Sequence, residues 1–232
     1  MLLKEQMEFL RKTALFSGMD DGDLAQLAGD LQERCCAAGE TVFYQGDPGD
    51  AAYIVVSGRV RVYVLSEEGQ EVSMIMYGPG ALFGELALID RQPRSATIVA
   101  MEPTVLLVLN GRDFSRHLRN SYELALKLML TLSARLRHTT EEVKSLATLD
   151  VSERIIRKLL DLARHEGVTT DRGIRLRCRL TQHELASLVG SSRESTNRAM
   201  RALVRQGLID FRQGYITLLK PAKLEQMVPI ED

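Results

Sequence analysis

The chain has 232 residues, 45% hydrophobic and 26% charged, with a formal net charge of -1, a composition that excludes disordered and fibrous classes. Charges break every apolar run short of the roughly 20 residues of a membrane helix, and Met1-Leu2-Leu3-Lys4-Glu5-Gln6 has no secretory pattern, so neither membrane insertion nor export is expected. The charge is uneven: from Asp150 onward 15 Lys plus Arg face 11 Asp plus Glu, and before it 15 face 20. A mildly basic last third hints at a polyanionic partner.

Cys35, Cys36 and Cys178 have no zinc or disulfide-framework spacing, and the expectation is reduced thiols in a cytoplasmic protein. His117, His138, His165 and His183 lack the HxxxH or HExxH spacing of a metal helix. No metal is expected.

In chain order, residues 7–34 read as short helices, with Met7, Leu10 and Leu15, then Asp20 or Asp21 ahead of Leu24, Leu27 and Leu31. After Gly39 the period changes. Runs at 41–44, 52–56, 60–64 and 72–76 are rich in β-branched, aromatic or Met residues and are punctuated by Gly46, Gly49, Gly58, Gly69, Gly78 and Gly80. Further strands are expected at 96–100 and 105–109. This spacing indicates an antiparallel barrel or sandwich. In the run 59–64, Val60, Val62 and Val64 alternate with Arg61 and Tyr63.

Between these strands lies the segment 83–97, FGELALIDRQPRSAT. Gly84-Glu85-Leu86 is expected to open a short helix whose first amides can meet an anion. Glu85 is an acceptor suited to a ribose hydroxyl, and Arg94 with Ser95 offers a forked cation and a neutral donor, a set that fits one phosphate. A plain Glu85–Arg94 ion pair without any ligand is the competing reading.

From about Asn120 a long helical pattern begins. Ala125, Met129, Leu132, Leu136, Thr139, Val143 and Leu146 recur at steps of four and three, the seam of two helices side by side. One helix packed on its own domain would carry the same stripe. Thr139 is the polar misfit in that seam. Asp150 and Glu153 then form a capping box for a helix over 151–164, which places a boundary near Thr148–Asp150. A turn at 169–173 and a strand at 174–180 follow.

Thr181 and Glu184 cap the next helix, Gly190 ends it, and Ser191 and Ser192 cap another over 193–206. Ala199, Leu203 and Val204 are expected on its core face, with Arg193, Asn197, Arg198, Arg201 and Arg205 largely opposite. Strands at 208–212 and 215–219 make a wing, with Arg212 and Lys220 as phosphate contacts. This is a winged helix-turn-helix, in which Arg193, Glu194 and Arg198 occupy the positions that reach base edges. A helical hairpin with an arginine-rich solvated face would have the same charge, but not the glycine, the two caps and the wing.

Over nearly its full length the sequence resembles the Crp-Fnr family of bacterial transcription regulators, in its cyclic-AMP receptor branch. The resemblance implies an α+β fold: an antiparallel β-roll (a double-stranded β-helix or jelly-roll) cyclic-nucleotide-binding domain over 1–118, a dimerisation helix and hinge over 119–149, and a winged helix-turn-helix over 150–232. It implies that Gly84 and Glu85, beside Leu86, hold the ribose of cAMP, Arg94 and Ser95 its phosphate, and Thr139 and Thr140 its adenine. Arg193, Glu194 and Arg198, flanked by Asn197 and Arg201, would read a GTGA-like half-site. Met129, Leu132, Leu136, Val143 and Leu146 would join two copies. The implied partners are double-stranded DNA, RNA polymerase and a second copy, with cAMP as allosteric ligand, no metal and no enzymatic activity.

The sequence departs from that pattern in one place. The loop between Glu85 and Arg94 is one residue shorter than in enterobacterial members and closer to the cassettes of cyclic-nucleotide-dependent kinases. Ser95 stands where cGMP-selective sites prefer threonine, which disfavours cGMP. The four-cysteine cluster of the oxygen-sensing branch is absent. A kinase-restraining subunit would leave the wing unexplained, and a redox role for Cys35 and Cys36 is opposed by Glu33 and Glu40 beside them.

Overall fold

The computed structural model describes residues 1–66 and 71–228; Gly69 and the last four residues lie outside the described residues. The chain forms two compact units, Met1–His138 and Thr139–Asp232. Among the described residues no helix is long and apolar enough to cross a membrane, and no group of three His, Cys, Asp or Glu is placed to hold a metal.

The first unit opens with α1 (Leu3–Lys12) and α2 (Asp21–Asp30), the latter capped by Asp20. Helix was expected up to residue 34, but β1 (Gln32–Cys36) is a strand. Its five residues pair with β8 (Thr104–Asn110) from Gln32↔Val108 to Cys36↔Thr104, and this ladder overrides the helical preference of Gln32 and Glu33. Cys35 and Cys36 thereby face opposite ways, one exposed and one buried.

Then come β2 (Thr41–Phe43), β3 (Ala51–Ser57), β4 (Val60–Leu65), β5 (Glu71–Tyr77), β6 (Leu82–Phe83), α3 (Leu86–Asp90) and β7 (Thr97–Ala100), ahead of β8. They form two four-stranded antiparallel sheets, β1-β8-β3-β6 and β2-β7-β4-β5. Val55, Val60, Phe83, Ile98 and Leu106 form one buried core cluster of the unit. The alternation expected along β4 is broken by a register shift between Val62 and Tyr63. Arg61 lies buried there, donating to Ser73 at 3.0 Å and pairing with Glu71.

Helix α4 (Gly111–Asn120), capped by Asn110, was not anticipated; it precedes α5 (Tyr122–Thr148). Phe114 of α4 and Leu124 and Leu128 of α5 share a second core with Leu10 of α1 and Leu24 and Leu27 of α2.

In the second unit Asp150 and Glu153 cap α6 (Val151–Glu166) reciprocally, at 2.9 and 2.8 Å. The expected turn at 169–173 is narrower, because β9 (Gly167–Thr170) pairs with β10 (Gly173–Leu176). The strand expected to reach Leu180 leaves the ladder at Leu176. α7 (Gln182–Leu188), α8 (Arg193–Arg205), β11 (Ile209–Arg212), β12 (Tyr215–Leu218) and α9 (Pro221–Met227) complete the unit, with sheet order β11-β12-β10-β9. On α8 the buried residues are Thr196, Ala199, Met200 and Leu203, whereas Val204 is 42% exposed. The buried stripe runs through Thr196, Ala199, Met200 and Leu203 at steps of three and four, and Val204 lies beyond its end.

Candidate functional site

Gly84, Glu85, Leu86, Arg94 and Ser95 all line one cleft of about 110 Å³, together with Phe43, Tyr77, Phe83 and Arg135 among others. The strands bring these residues together, since Gly84 follows β6 directly and Ser95 leads into β7. Gly84 has φ +78°, and a Cβ there would lie 2.8 Å from Arg94 Nη1, so only glycine leaves the guanidinium its place. Leu86 and Ser95 are exposed at the mouth, while Glu85 and Arg94 are buried. α3 is only five residues long, with Glu85 as its N-cap.

Arg94 is a cation short of partners. Its side chain is 2% exposed. Nη1 donates to the Gly84 carbonyl at 2.7 Å, and Nη2 reaches Asp50 at 3.4 Å, but Asp50 is itself 88% exposed. Nε is buried with no hydrogen-bond partner among the described residues. The guanidinium lies over the Phe43 ring at 4.2 Å, a contact that holds it without neutralising it. A buried cation in this state is stabilised by an anion entering the cleft.

The competing Glu85–Arg94 pair is not formed. Glu85 accepts instead from Arg135 Nη1 of α5 at 2.7 Å, and Arg135 Nη2 donates to the Leu82 carbonyl. The same guanidinium sits 4.7 Å from the Tyr77 ring centroid. Burial pushes the Glu85 carboxyl above the usual carboxylate range, against the pull of Arg135, and burial likewise raises the Tyr77 phenol. Sequence reasoning missed Arg135. The available signal was its position four residues before Thr139, on the same face of one helix.

The seam residues differ in exposure. Leu132 is partly buried against the first unit's core, whereas Met129, Leu136, Val143 and Leu146 are 52%, 69%, 61% and 51% exposed. Thr139 and Thr140 are exposed on α5. Burial raises the Cys36 thiol, which disfavours the thiolate that a redox role needs.

In the helix-turn-helix, Thr181 accepts from the Glu184 amide at 3.1 Å and Glu184 accepts from the Thr181 amide at 2.7 Å. Gly190 turns the chain at φ +58°, and Ser192 caps α8 by accepting from the Ser195 amide at 3.2 Å. Arg193, Glu194, Arg198 and Arg201 are exposed, and Asn197 is half-buried. Arg198 donates to Glu194 at 3.3 Å, and Arg193 Nε donates to His183 Nδ1 of α7 at 3.0 Å. Both contacts leave further donors of each guanidinium unused.

Residues 33–121 match the family model of the cyclic nucleotide-binding domain, and residues 153–227 that of the Crp-like helix-turn-helix domain. The chain is 34% identical over 218 residues to the cyclic AMP receptor protein of Thermus thermophilus, covering 94% of this chain and 98% of that one. It is 32% identical over 202 residues to a CRP-like cAMP-activated global transcriptional regulator of Mycobacterium tuberculosis, covering 87% and 90%. Among solved structures, the c-di-GMP-responsive global regulator CLP of Xanthomonas campestris superposes with a TM-score of 0.76 at 28% identity, over 86% of this chain and 99% of that one.

Proposed function

The chain belongs to the Crp-Fnr family of bacterial transcription regulators, and on that premise we propose that it is a homodimer switched by cAMP between weak and tight binding of specific duplex DNA. It is a regulator, not an enzyme, with a cyclic nucleotide-binding domain and a DNA-binding helix-turn-helix. The observation that carries an anionic ligand in the cleft is Arg94, a buried guanidinium with an orphan Nε and one exposed carboxylate at 3.4 Å; the choice of cAMP follows the family resemblance.

A cyclic phosphate supplies the missing anion to Arg94, with Ser95 donating at the mouth and Gly84 leaving room. The ribose hydroxyl turns to Glu85, whose carboxylate Arg135 holds ready. Thr139 and Thr140 follow Arg135 along α5 and take the adenine edge, one from each copy. That contact favours one seam register through Met129, Leu132, Leu136, Val143 and Leu146. It sets the two copies of α8 about 34 Å apart, one turn of DNA. A shift from 1:99 to 99:1 requires the ligand to favour the competent state by about 5.5 kcal/mol. Arg193, Glu194 and Arg198, with Asn197 and Arg201 beside them, read GTGA half-sites. The regulator works in the cytoplasm and reaches transcription through RNA polymerase.

Calorimetric titration of the full chain with cAMP, cGMP and c-di-GMP tests this directly. The expected result is one cAMP per chain, weaker cGMP, and loss of both in Arg94→Gln. Tight c-di-GMP binding with no heat from cAMP would overturn the assignment of the ligand.

A further inference from the structure

The second unit carries a run of cations that neither the cleft nor α8 uses. After Ile174 burial alternates: Leu176, Cys178 and Leu180 are buried, while Arg175, Arg177 and Arg179 are exposed. This period of two continues past the end of β10, so the three guanidiniums leave one face of the chain at alternate positions. Arg175 and Arg179 both stack on Tyr215 of β12, with Cζ 4.2 and 4.9 Å from the ring centroid. The ring fixes two long side chains that would otherwise lose rotamer freedom on binding.

Charge separates this strip from the wing turn. Arg212, the expected phosphate contact, is tied to Asp210 at 3.0 Å, and Arg172 shares the same carboxylate at 3.0 Å. Among the described residues Arg175, Arg177 and Arg179 have no carboxylate partner. The strip is also joined to the recognition helix. Leu180 donates its amide to the Gly214 carbonyl of the wing turn at 2.9 Å. Thr181 then caps α7, and His183 of α7 accepts from Arg193 at the start of α8. Arg179, the start of α7 and the start of α8 form one connected edge.

We propose that Arg175 and Arg179, braced by Tyr215, grip the backbone phosphates of duplex DNA together with Arg177, beside the bases that α8 reads. This rests on the reading of the unit as a duplex-DNA binder. Guanidinium forks match phosphate oxygens, and backbone contacts set position and salt dependence without carrying sequence information. The strip therefore adds affinity for any sequence and leaves base preference to Arg193, Glu194 and Arg198.

The test is equilibrium binding of the full chain with cAMP to two duplexes, one with paired GTGA half-sites and one scrambled, between about 50 and 200 mM salt. For R175Q/R177Q/R179Q the slope of log K against log salt should become shallower by about 2 to 3, at roughly 0.9 per phosphate lost. Affinity for both duplexes should fall by the same factor, and R175K/R177K/R179K should keep the wild-type slope. A Gln variant with the wild-type slope, or a Lys variant as shallow as the Gln one, would overturn the strip. So would a changed ratio between the duplexes at constant slope. A wild-type chain that bound neither duplex would instead overturn the DNA-binding reading beneath it.

Discussion

At the scale of single residues, the cleft is organised by two arginines in opposite situations. Arg94 has one counter-charge, the solvent-exposed Asp50 at 3.4 Å, while Arg135 supplies one to a carboxylate buried deeper than itself. Removing Arg135 leaves Glu85 buried without its cation, and breaking such a pair costs about 3 kcal/mol. The pH dependence has a definite sign. Burial already holds the folded Glu85 above the usual carboxylate range, so its protonated form favours the folded state and that favour is lost as pH rises. In Arg135→Gln the folded value rises further. The variant's Tm should therefore fall increasingly below wild type as pH rises from about 5 to 8, and Glu85→Gln in the same background should flatten the trend.

On α8, Arg198→Ala should cost about 1–3 kcal/mol on a GTGA duplex and little on a scrambled one; equal losses on both would make Arg198 a backbone contact. The cassette was legible in the sequence because a carboxylate, a guanidinium and a hydroxyl stand within a dozen residues. The spacing to Thr139 marked the helix face of Arg135, but its pairing with Glu85 was not legible, because it spans 50 residues and charge on a helix surface says nothing of the partner it meets.

At the scale of elements, sequence reasoning succeeded mostly where the pattern was local, although it missed the locally capped α4, and failed where a distant partner decided. The glycine-bounded strands, the long helix and the capped helices of the second unit carry their period or cap within a few residues. β1 did not: Gln32-Glu33-Arg34 has no strand preference of its own, and its ladder comes from β8, more than sixty residues onward. The run 174–180 was expected as one strand but loses its pairing after Leu176, so its start was legible and its extent was not. In the wing, Gln213 and Gly214 both have positive φ, 52° and 82°, as a two-residue hairpin of the I′ type requires. Glutamine is poorly suited to that conformation. Gln213→Asn should stabilise the second unit by up to about 1 kcal/mol, read by chemical denaturation, with DNA affinity unchanged.

At the scale of the whole molecule, the proposed homodimer rests on the seam along α5. Met129, Leu136, Val143 and Leu146 are each more than half exposed, on a helix whose other face is already committed to the core through Leu124 and Leu128. Leu136→Glu combined with Val143→Glu should give a monomer by sedimentation that no longer binds a palindromic duplex tightly, while each chain stays folded. In the proposed dimer that same greasy edge makes dilution a thermodynamic variable. Where pairing shields it, melting temperature climbs with protein concentration, and a preparation thinned far enough should soften at lower heat with no change in its chemistry.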